Sequence, residues 1–324
     1  MRSEILKILL EGNNYVSGQK MCEELHVSRT AVWKAMNQLK DEGYEIESVT
    51  NKGYRIISCP DLVTQEAIEG KIKTRVLGKR VHYQMEVGST NTVAKQFAEE
   101  KNSHGLLVTA DLQNSGKGRR GRSWVSPKES GIWMTLILKP ELDPRNASML
   151  TLVAALAVAK GICEVTKLDA KIKWPNDIVV NKKKVCGILT EMNAELDFIN
   201  YVVVGIGINV NVTKFPDEIK EIASSLYLES GNRINRSELI CKALEYFEEY
   251  YETFLNAGNL SSLLEEYNTF LINKGKMVKI LGETQLVGTA KGINDKGELI
   301  VTVGDEDITV MSGEVSVRGL YEYV

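Results

Sequence analysis

Residues 113–127, with the sequence QNSGKGRRGRSWVSP, decide how the middle of this chain folds. Within them, Gly116 to Trp124 hold four cationic side chains and three glycines in nine positions. Gly116, Gly118 and Gly121 have the spacing of the glycine-rich loop in dinucleotide-binding folds, and the segment is one residue away from the pattern of phosphate-binding loops. Both patterns require a strand before the loop and a helix immediately after it.

The helix requirement is not met. The run 106–110 predicts a strand before the loop, but Trp124-Val125-Ser126-Pro127 follows it, and a residue before proline avoids the α region. The run 131–138 then predicts another strand. We therefore exclude a nicotinamide-binding or kinase-like NTPase fold and predict a cationic loop between two strands. Glycines allow close approach of a ligand, and guanidinium groups bind phosphate and carboxylate oxygens. The alternatives are a solvated turn and a patch that contacts DNA.

Composition indicates a soluble protein of two or three domains. The 324 residues include 40 basic and 43 acidic side chains and give a net charge of −3. The start of the chain lacks a secretory pattern, and the longest apolar stretch, 150–159, is too short to span a bilayer and predicts a buried helix. Five scattered cysteines and three isolated histidines show no metal-ligand spacing. These features predict a cytoplasmic protein with reduced thiols and no membrane partner.

The first sixty residues predict a winged helix-turn-helix. An apolar stripe begins at Ile5, and Ser17 and Ser28 can cap a second and a third helix. The runs 44–46 and 53–57 predict strands, with residues 50–52 at the tip of a wing. Docked in a major groove, this motif would contact DNA through Ser17, Gly18, Ser28, Arg29, Thr30, Trp33, Lys34, Asn37 and Lys52.

Charge alone does not establish DNA binding. Residues 1–58 contain eight basic and eight acidic side chains, so a helical domain that only packs or dimerises is the alternative. Placement favours DNA, because the third helix carries its cations at its start and outer face. The weak net charge predicts that a dimer reads two half-sites.

The last fifty residues change character. From Asn273 onward, short alternating runs at 277–281, 285–293, 299–303, 308–311 and 315–318 are separated by turn residues. They predict a small β-barrel. We therefore expect three domains: a DNA-binding domain (1–60), a ligand-binding domain (61–272) and the barrel (273–324).

Four blocks in this sequence resemble the motifs of biotin–protein ligases. Residues 113–127 resemble the biotin-binding loop, although Lys117 stands where arginine is common. The other blocks are KWPND (173–177) followed by KVCGIL (184–189), GIGINVN (205–211) and STN (89–91). With the winged helix and the barrel, the resemblance covers nearly the whole chain. It is specific to the bifunctional members that also act as repressors of the biotin operon. It implies an α+β protein with a class II synthetase-like, mixed α/β ligase domain between the winged helix-turn-helix and an SH3-like barrel.

The resemblance also implies a reaction. Such ligases join the carboxylate of biotin to the α-phosphate of ATP, with Mg²⁺, to give biotinyl-5'-AMP. They then transfer biotin to a lysine of the biotin carboxyl carrier protein of acetyl-CoA carboxylase or of another biotin-dependent carboxylase. Unused biotinyl-5'-AMP acts as the corepressor of a homodimer that binds operator DNA of the biotin genes.

Particular residues inherit roles from these motifs. Arg119 and Lys184 are the expected catalytic cations. Biotin is expected to contact Ser89, Thr90, Asn91, Gln113, Lys117, Gly118, Arg119 and Lys184. The nucleotide is expected to contact Arg119, Arg122, Trp124, Lys173, Asn176, Asn209 and Arg318, with Asp177 as a candidate Mg²⁺ ligand. Residues 215–216 and 223–226 resemble the adenylate-binding loop.

Several of these residues also have ordinary structural interpretations. Ser89 or Thr90 could cap a helix over 92–100, residues 182–184 could be a solvated hairpin tip, and Trp174 could be a core residue. Two other functions also remain open: a biotin-responsive transcription factor without ligase activity, and a lipoate–protein ligase, which shares the central fold. The cationic loop and the leading DNA-binding domain argue against the lipoate ligase.

Overall fold

The computed structural model describes residues 1–12, 14–281, 285–312 and 324, together with the backbone of 316–319. The N-terminal part forms the predicted winged helix-turn-helix. Its elements are α1 (Arg2–Glu11), α2 (Gly18–Leu25), α3 (Arg29–Asp41), β1 (Glu45–Val49) and β2 (Gly53–Ser58). The two predicted caps are present: the Ser17 hydroxyl accepts a hydrogen bond from the Lys20 amide at 3.1 Å, and the Ser28 hydroxyl accepts one from the Ala31 amide at 3.2 Å.

An apolar core fixes the helices of this domain. Ile5 and Leu6 on α1 pack with Ala35 and Leu39 on α3, and all four are fully buried. The first wing strand covers Glu45–Val49 rather than 44–46, because its pairing with β2 extends to the turn. Asn51 makes that turn with a left-handed φ of 66°.

The central part is built on a seven-stranded sheet in the order β3-β4-β5-β9-β8-β7-β6. Its strands are β3 (Arg80–Val87), β4 (Leu106–Gln113), β5 (Gly131–Leu138), β6 (Lys171–Lys173), β7 (Asp177–Val180), β8 (Lys183–Ala194) and β9 (Ile199–Asn209). Only β3 and β4 are parallel. The predicted strand 131–138 is confirmed, and the chain between β4 and β5 contains only a single 3-10 turn, Arg119–Gly121.

Helices cover both faces of this sheet. α5 (Thr90–Ala98) packs on one face through Ala94 and Ala98. α6 (Leu150–Thr166) and α8 (Arg236–Ala257) pack together in the main core. Three short helices, α4 (Gln65–Glu69), α7 (Leu226–Ser230) and α9 (Leu264–Phe270), complete the set.

The apolar segment that includes 150–159 is a core helix. Together with the preceding 3-10 turn it forms Pro144–Thr166, which by length and composition alone could cross a membrane. However, 67% of the apolar 18-residue stretch within this segment is buried inside the protein. Its apolar side chains are thus already covered by the sheet and by α8, as expected for the centre of a globular domain.

The C-terminal strands form one antiparallel sheet in the order β13-β12-β11-β10-β14. These strands are β10 (Met277–Leu281), β11 (Gln285–Ile293), β12 (Leu299–Val303), β13 (Glu306–Val310) and β14 (Ser316–Gly319). The fourth strand begins two residues earlier than predicted, since it pairs with β12 from Glu306. Val315, predicted to start the last strand, lies outside the described residues.

This sheet shares its core with the central domain. Val278, Ala290 and Val301 belong to the same apolar cluster as α6 and α8. Trp174 lies where the two domains meet. It is buried, and its indole Nε1 donates to the Gly297 carbonyl at 3.0 Å. The core interpretation of Trp174 is therefore correct for most of its side chain, although its edge also lines the cavity described below.

A buried arginine attaches the linker that follows the DNA-binding domain to the central sheet. Arg236, at the start of α8, is only 1% exposed. Its Nε lies 3.0 Å from the carboxylate of Asp61, in the linker after β2, and its Nη1 lies 3.0 Å from that of Asp111 on β4. The Tyr83 hydroxyl also donates to Asp111, at 2.7 Å. Since buried charges are costly unless paired, this network fixes where the linker meets the sheet.

Candidate active site

A cavity of about 500 Å³ opens at the ends of β4, β8 and β9. It is lined by most of the residues that the sequence motifs singled out. These are Ser89, Thr90, Asn91, Gln113, Lys117, Gly118, Arg119, Arg122, Trp124, Lys173, Asn176, Asp177, Lys184 and Asn209. Residues as far apart as 89 and 209 thus share one site, because the sheet order places β9 beside both β5 and β8.

One end of the cavity is polar and almost closed to solvent. Ser89, Thr90 and Asn91 are at most 5% exposed. The Gln113 side-chain oxygen accepts from the Thr90 amide at 2.8 Å, and Gln113 Nε2 lies 2.9 Å from the Ser126 hydroxyl. This end therefore offers a fixed set of neutral donors and acceptors to a small polar ring.

The capping interpretation of this segment is correct for the position of Ser89 but not for its side chain. α5 begins at Thr90 and ends at Ala98 rather than covering 92–100, and Ser89 occupies its N-cap position. Within the described chain, the Ser89 side chain makes no capping hydrogen bond, and the Thr90 hydroxyl bonds to Gln113 and Thr135 instead. Neither hydroxyl group therefore stabilises the start of the helix.

The other end of the cavity is cationic and is formed by the glycine-rich loop. The loop closes on itself, with the Trp124 amide donating to the Gly116 carbonyl at 2.8 Å and the Gly118 amide donating to the Arg122 carbonyl at 2.7 Å. Gly116 permits this closure, because a Cβ there would lie 2.4 Å from the Trp124 carbonyl oxygen. The loop therefore holds its cations beside the cavity rather than along a strand.

Arg119 is the loop cation that bonds to the KWPND segment. Its guanidinium donates to the Asn176 side-chain oxygen at 2.7 Å. Burial lowers the pKa of Arg119, and the charges of Arg120 and Arg122 lower it too, whereas Asp177 raises it. A guanidinium nevertheless stays protonated in proteins, so Arg119 presents a partly desolvated positive charge. Arg120 also lines the cavity, which the motifs did not predict.

Lys184 points into the site from β8. The hairpin turn is made by Asn181 and Lys182, which have left-handed φ angles of 46° and 67°. The solvated-tip interpretation is thus wrong for Lys184, because the strand has already begun at Lys183. Its Nζ lies 2.6 Å from an Asp177 carboxylate oxygen and 5.1 Å from the centre of a Trp124 ring.

Trp124 lies flat against the floor of the cavity. Gly187 on β8 and Gly207 on β9 are directly paired, and a Cβ on either would lie within 3.0 Å of the indole ring. Among the described residues, the buried indole Nε1 has no hydrogen-bond partner. Two glycines side by side therefore make room for a flat ring here, and the expected role of Trp124 in stacking on adenine stays a prediction.

The other predicted nucleotide residues line the same cavity as this ring. Asn176 Nδ2 donates to the Ile188 carbonyl at 3.1 Å, and Asn209 Nδ2 donates to the Ser224 carbonyl at 3.1 Å. Lys173 is 5% exposed and lines the same wall. Phe215 and Ala223, from the loop that resembles an adenylate-binding loop, also line the cavity.

Two expectations concern the phosphates. Arg318 lies on β14, where its backbone pairs with Lys279, but its side chain is outside the described part of the structure. Within the described residues, no group of three or more His, Cys, Asp or Glu could hold a metal ion. A single carboxylate, Asp177, still suits Mg²⁺, which is usually bound by one or two carboxylates together with substrate phosphates and water.

Most of the predicted DNA-contacting residues are exposed on the winged helix. Arg29, Thr30 and Lys34 are exposed on α3, and Trp33 is 60% exposed, which is unusual for a large aromatic side chain. Asn37 is half-buried, and Lys52 is exposed at the tip of the wing. Ser17, Gly18 and Ser28 lie at the starts of α2 and α3.

Some residues that organise the site gave no recognisable signal in the sequence. In the sequence, Thr135 and Glu191 cannot be distinguished from the other residues of β5 and β8. In the structure they contact Asn91, at 2.6 and 2.8 Å respectively. Met134, Ile219 and Ile222 line the apolar walls. Their roles depend on which strands are neighbours, and that is not visible in a single sequence.

Comparison with known families defines the class of the protein. Residues 83–209, which contain most of the sheet and the cavity, match the "Biotin/lipoate A/B protein ligase family". Residues 2–55 match "HTH domain" and residues 275–318 match "Biotin protein ligase C terminal domain". The fold and the site are thus those of a biotin or lipoate protein ligase with an added DNA-binding domain.

Individual relatives narrow this class. "Bifunctional ligase/repressor BirA" from Bacillus subtilis is 41% identical over 323 residues, covering 97% of this chain and 99% of that protein. The protein of the same name from Escherichia coli is 27% identical, covering 96% of this chain and 95% of its own length. The chain therefore belongs to the BirA family of bifunctional ligase/repressors, as its motifs predicted.

A solved structure supports the same relationship. The chain in "Biotin protein ligase from Aquifex aeolicus in complex with biotin and ATP" has a TM-score of 0.67 and 32% sequence identity. The match covers 74% of this chain and 99% of that chain. Almost the entire ligase from Aquifex aeolicus therefore has a counterpart here, and the present chain is longer.

Proposed function

We propose that this protein is an ATP-dependent biotin–protein ligase that also represses biotin-synthesis genes. The observation that carries the proposal is the division of a single cavity into a neutral polar end and a cationic end. The ureido ring of biotin fits the polar end at Ser89–Asn91 and Gln113. The carboxylate at the other end of biotin then faces Lys117, Arg119 and Lys184. No such division is needed to bind one nucleotide alone.

The first step joins two anions. The biotin carboxylate oxygen attacks the α-phosphorus of ATP, the bond to the bridging oxygen of pyrophosphate breaks, and biotinyl-5'-AMP forms. A carboxylate needs no general base, so the main requirement is fixed positive charge where the two anions meet. Arg119 and Lys184 supply it, and Gly118 allows the loop backbone to approach biotin. Mg²⁺, when bound with ATP, neutralises charge on the phosphates.

The remaining nucleotide contacts follow from the same orientation. Arg122, Lys173 and Asn176 line the cavity and would contact the phosphates. Asp177 is the carboxylate that would bind Mg²⁺. Trp124 offers a flat face to adenine, and Asn209 a side-chain amide. We also assign Arg318 to ATP, on the family resemblance alone.

The second step transfers biotin to a protein. The ε-amine of a lysine on a biotin carboxyl carrier protein attacks the acyl carbon of the mixed anhydride, and AMP leaves with the electron pair of the broken C–O bond. The acceptor is the carrier protein of acetyl-CoA carboxylase or of another biotin-dependent carboxylase. We place this reaction in the cytoplasm.

A direct assay tests the activity. Incubation with biotin, Mg²⁺ and ATP labelled at the α-phosphate is expected to yield labelled biotinyl-5'-AMP and pyrophosphate, followed by transfer of biotin to a carrier domain. If biotin binds and no adenylate or pyrophosphate appears, the protein is a biotin-responsive transcription factor without ligase activity. Preferential transfer of lipoate over biotin would instead identify a lipoate–protein ligase.

The repressor activity rests on the winged helix. We assign Arg29, Thr30, Trp33, Lys34 and Asn37 on α3 to the major groove, and Lys52 on the wing to a phosphate. Ser17, Gly18 and Ser28 lie where the starts of α2 and α3 can approach the DNA backbone. A homodimer with bound biotinyl-5'-AMP would place two such helices on two half-sites of the operator.

The Lys52→Gln variant tests this surface, because Lys52 is the exposed lysine that we assign to a phosphate. Loss of one phosphate contact is expected to weaken binding to all DNA sequences alike and to reduce the slope of log affinity against log salt by about one. Fluorescence anisotropy on the promoter of the biotin genes, with biotin and ATP present, measures both quantities. Lys7→Gln, an exposed lysine on α1, is the matched control. An unchanged salt slope for Lys52→Gln would remove this lysine from the interface.

A further inference from the structure

An ion pair lies just behind the polar end of the cavity. Glu191 on β8 accepts a hydrogen bond from Asn91 Nδ2 through Oε2 at 2.8 Å, and its Oε1 lies 2.6 Å from Lys95 Nζ on α5. Glu191 and Lys95 do not belong to the motifs that define the site, and neither is among the residues that line the cavity. Glu191 is connected to the cavity by its hydrogen bond with Asn91, which does line it.

The surroundings of Asn91 fix the orientation of its amide. Nδ2 faces two groups that only accept hydrogen bonds, the Glu191 carboxylate and the Leu189 carbonyl at 3.3 Å. Oδ1 lies 2.6 Å from the hydroxyl of Thr135, a fully buried residue. Gly205 makes room for this oxygen, because a Cβ there would lie 2.1 Å from it. The amide nitrogen therefore points toward Glu191 and the oxygen toward the sheet.

This orientation determines where two hydroxyl protons point. Asn91 Oδ1 can only accept, so the single Thr135 proton is used in that contact. The Thr135 oxygen is then left to accept from Thr90, whose hydroxyl oxygen lies 2.8 Å away. The other neighbour of the Thr90 hydroxyl is Gln113 Oε1 at 3.1 Å, which is also an acceptor. Whichever neighbour takes it, the Thr90 proton is used within the protein, and its oxygen offers only lone pairs to the cavity.

The charge of Glu191 maintains this arrangement. Burial acts to raise the pKa of Glu191, but hydrogen bonds from Lys95 and Asn91 and the positive charges of Lys95 and Lys117 outweigh it, so the pKa is lowered. At neutral pH the side chain is thus a carboxylate without a proton to donate. An ionised Glu191 can hold Asn91 in one orientation only.

We propose that Glu191 is a positioning residue for biotin, acting through Asn91 and Thr135 so that Thr90 accepts a hydrogen bond from a ligand N–H group. The ureido ring of biotin carries two such groups, and a ligand with only carbonyl oxygens at this end would find no donor at Thr90. Lys95 holds Glu191 in place. This inference rests on the proposed function, which places the ureido ring beside Ser89–Asn91.

The Glu191→Gln variant tests the proposal. A glutamine amide can donate as well as accept, so Asn91 no longer has a single favoured orientation. We expect biotin to bind about tenfold more weakly by calorimetry, the size of one lost hydrogen bond, while ATP binds with unchanged affinity. Glu195→Gln, an exposed glutamate in the turn after β8, is the matched control and should bind biotin like the parent protein.

A double-mutant cycle separates this route from general destabilisation. Thr135→Val removes the hydroxyl group that links Asn91 to Thr90. Adding Glu191→Gln to this variant should therefore change biotin affinity by less than about twofold. Should Thr135→Val not fold, Thr90→Val takes its place in the cycle. Additive losses, or an unchanged affinity of Glu191→Gln, would overturn the proposal. If the parent protein did not bind biotin at all, the proposed function would fail instead.

Discussion

Replacing Arg119 with alanine is expected to slow the formation of biotinyl-5'-AMP by roughly 100-fold or more, while the protein stays folded. Arg119 is held in place by a second residue, through the 2.7 Å hydrogen bond to Asn176. A preorganised charge of this kind stabilises a transition state by several kcal/mol, because it needs no reorganisation when the two anions meet.

Biotin-dependent exchange of pyrophosphate into ATP measures this step directly. The half-life of bound biotinyl-5'-AMP measures whether the same charge also retains the intermediate. Arg145→Ala removes an arginine whose side chain is 88% exposed and is the matched control, expected to leave both quantities unchanged. Arg119→Ala should unfold only slightly below the parent temperature, since it removes one half-buried side-chain hydrogen bond, which contributes on the order of 1 kcal/mol. Exchange and retention at the parent level would remove Arg119 from the site.

The second large effect is expected from Arg236→Met, which should reduce the free energy of unfolding of the central domain by about 3–5 kcal/mol. The substitution approximately preserves side-chain volume but leaves the carboxylate of Asp111 buried without its cation. It also removes the guanidinium contacts to Asp61, while the hydrogen bond from the backbone amide of residue 236 to Asp61, at 2.7 Å, is retained.

Thermal unfolding of the full chain, followed by calorimetry, measures this loss. A second substitution makes the test specific: Asp111→Asn in the Arg236→Met background removes the stranded charge and should recover part of the lost stability. If the double variant were no more stable than Arg236→Met, the buried charge would not be the cause. We also expect Arg236→Met to weaken the attachment of the winged helix, because Asp61 lies in the linker.

A physical relation links these two arginines. Arg119 lies in a loop with glycines on both sides, where a charge can approach a ligand and remain partly hydrated. Arg236 lies at the end of a core helix, where its charge must be matched by the protein itself. The same residue type is therefore expected to affect catalysis at one position and stability at the other.

Local sequence patterns determined the elements that carry local chemistry. Ser17 and Ser28 can satisfy free amides at helix starts, and both do so. Pro127 excludes a helix after the glycine-rich loop, and β5 follows as predicted. Residues 89–91, 113, 117–119, 122, 124, 173, 176–177, 184 and 209 were predicted as site residues because their motifs are short and continuous, and all of them line the same cavity.

The tertiary structure decided what depends on strand order and on contacts across long stretches of chain. Glu191 reads as one of several polar residues at the end of a strand, and only the packing of α5 against β8 and β9 places it beside Asn91. Arg236 and Asp61 are far apart in sequence, so their pairing is set by the closure of the core. Short-range preferences act between residues that are close in the chain. The partners of a buried charge such as Arg236, or of the hydrogen-bonded hydroxyl groups of Thr90 and Thr135, depend instead on which elements the fold makes neighbours.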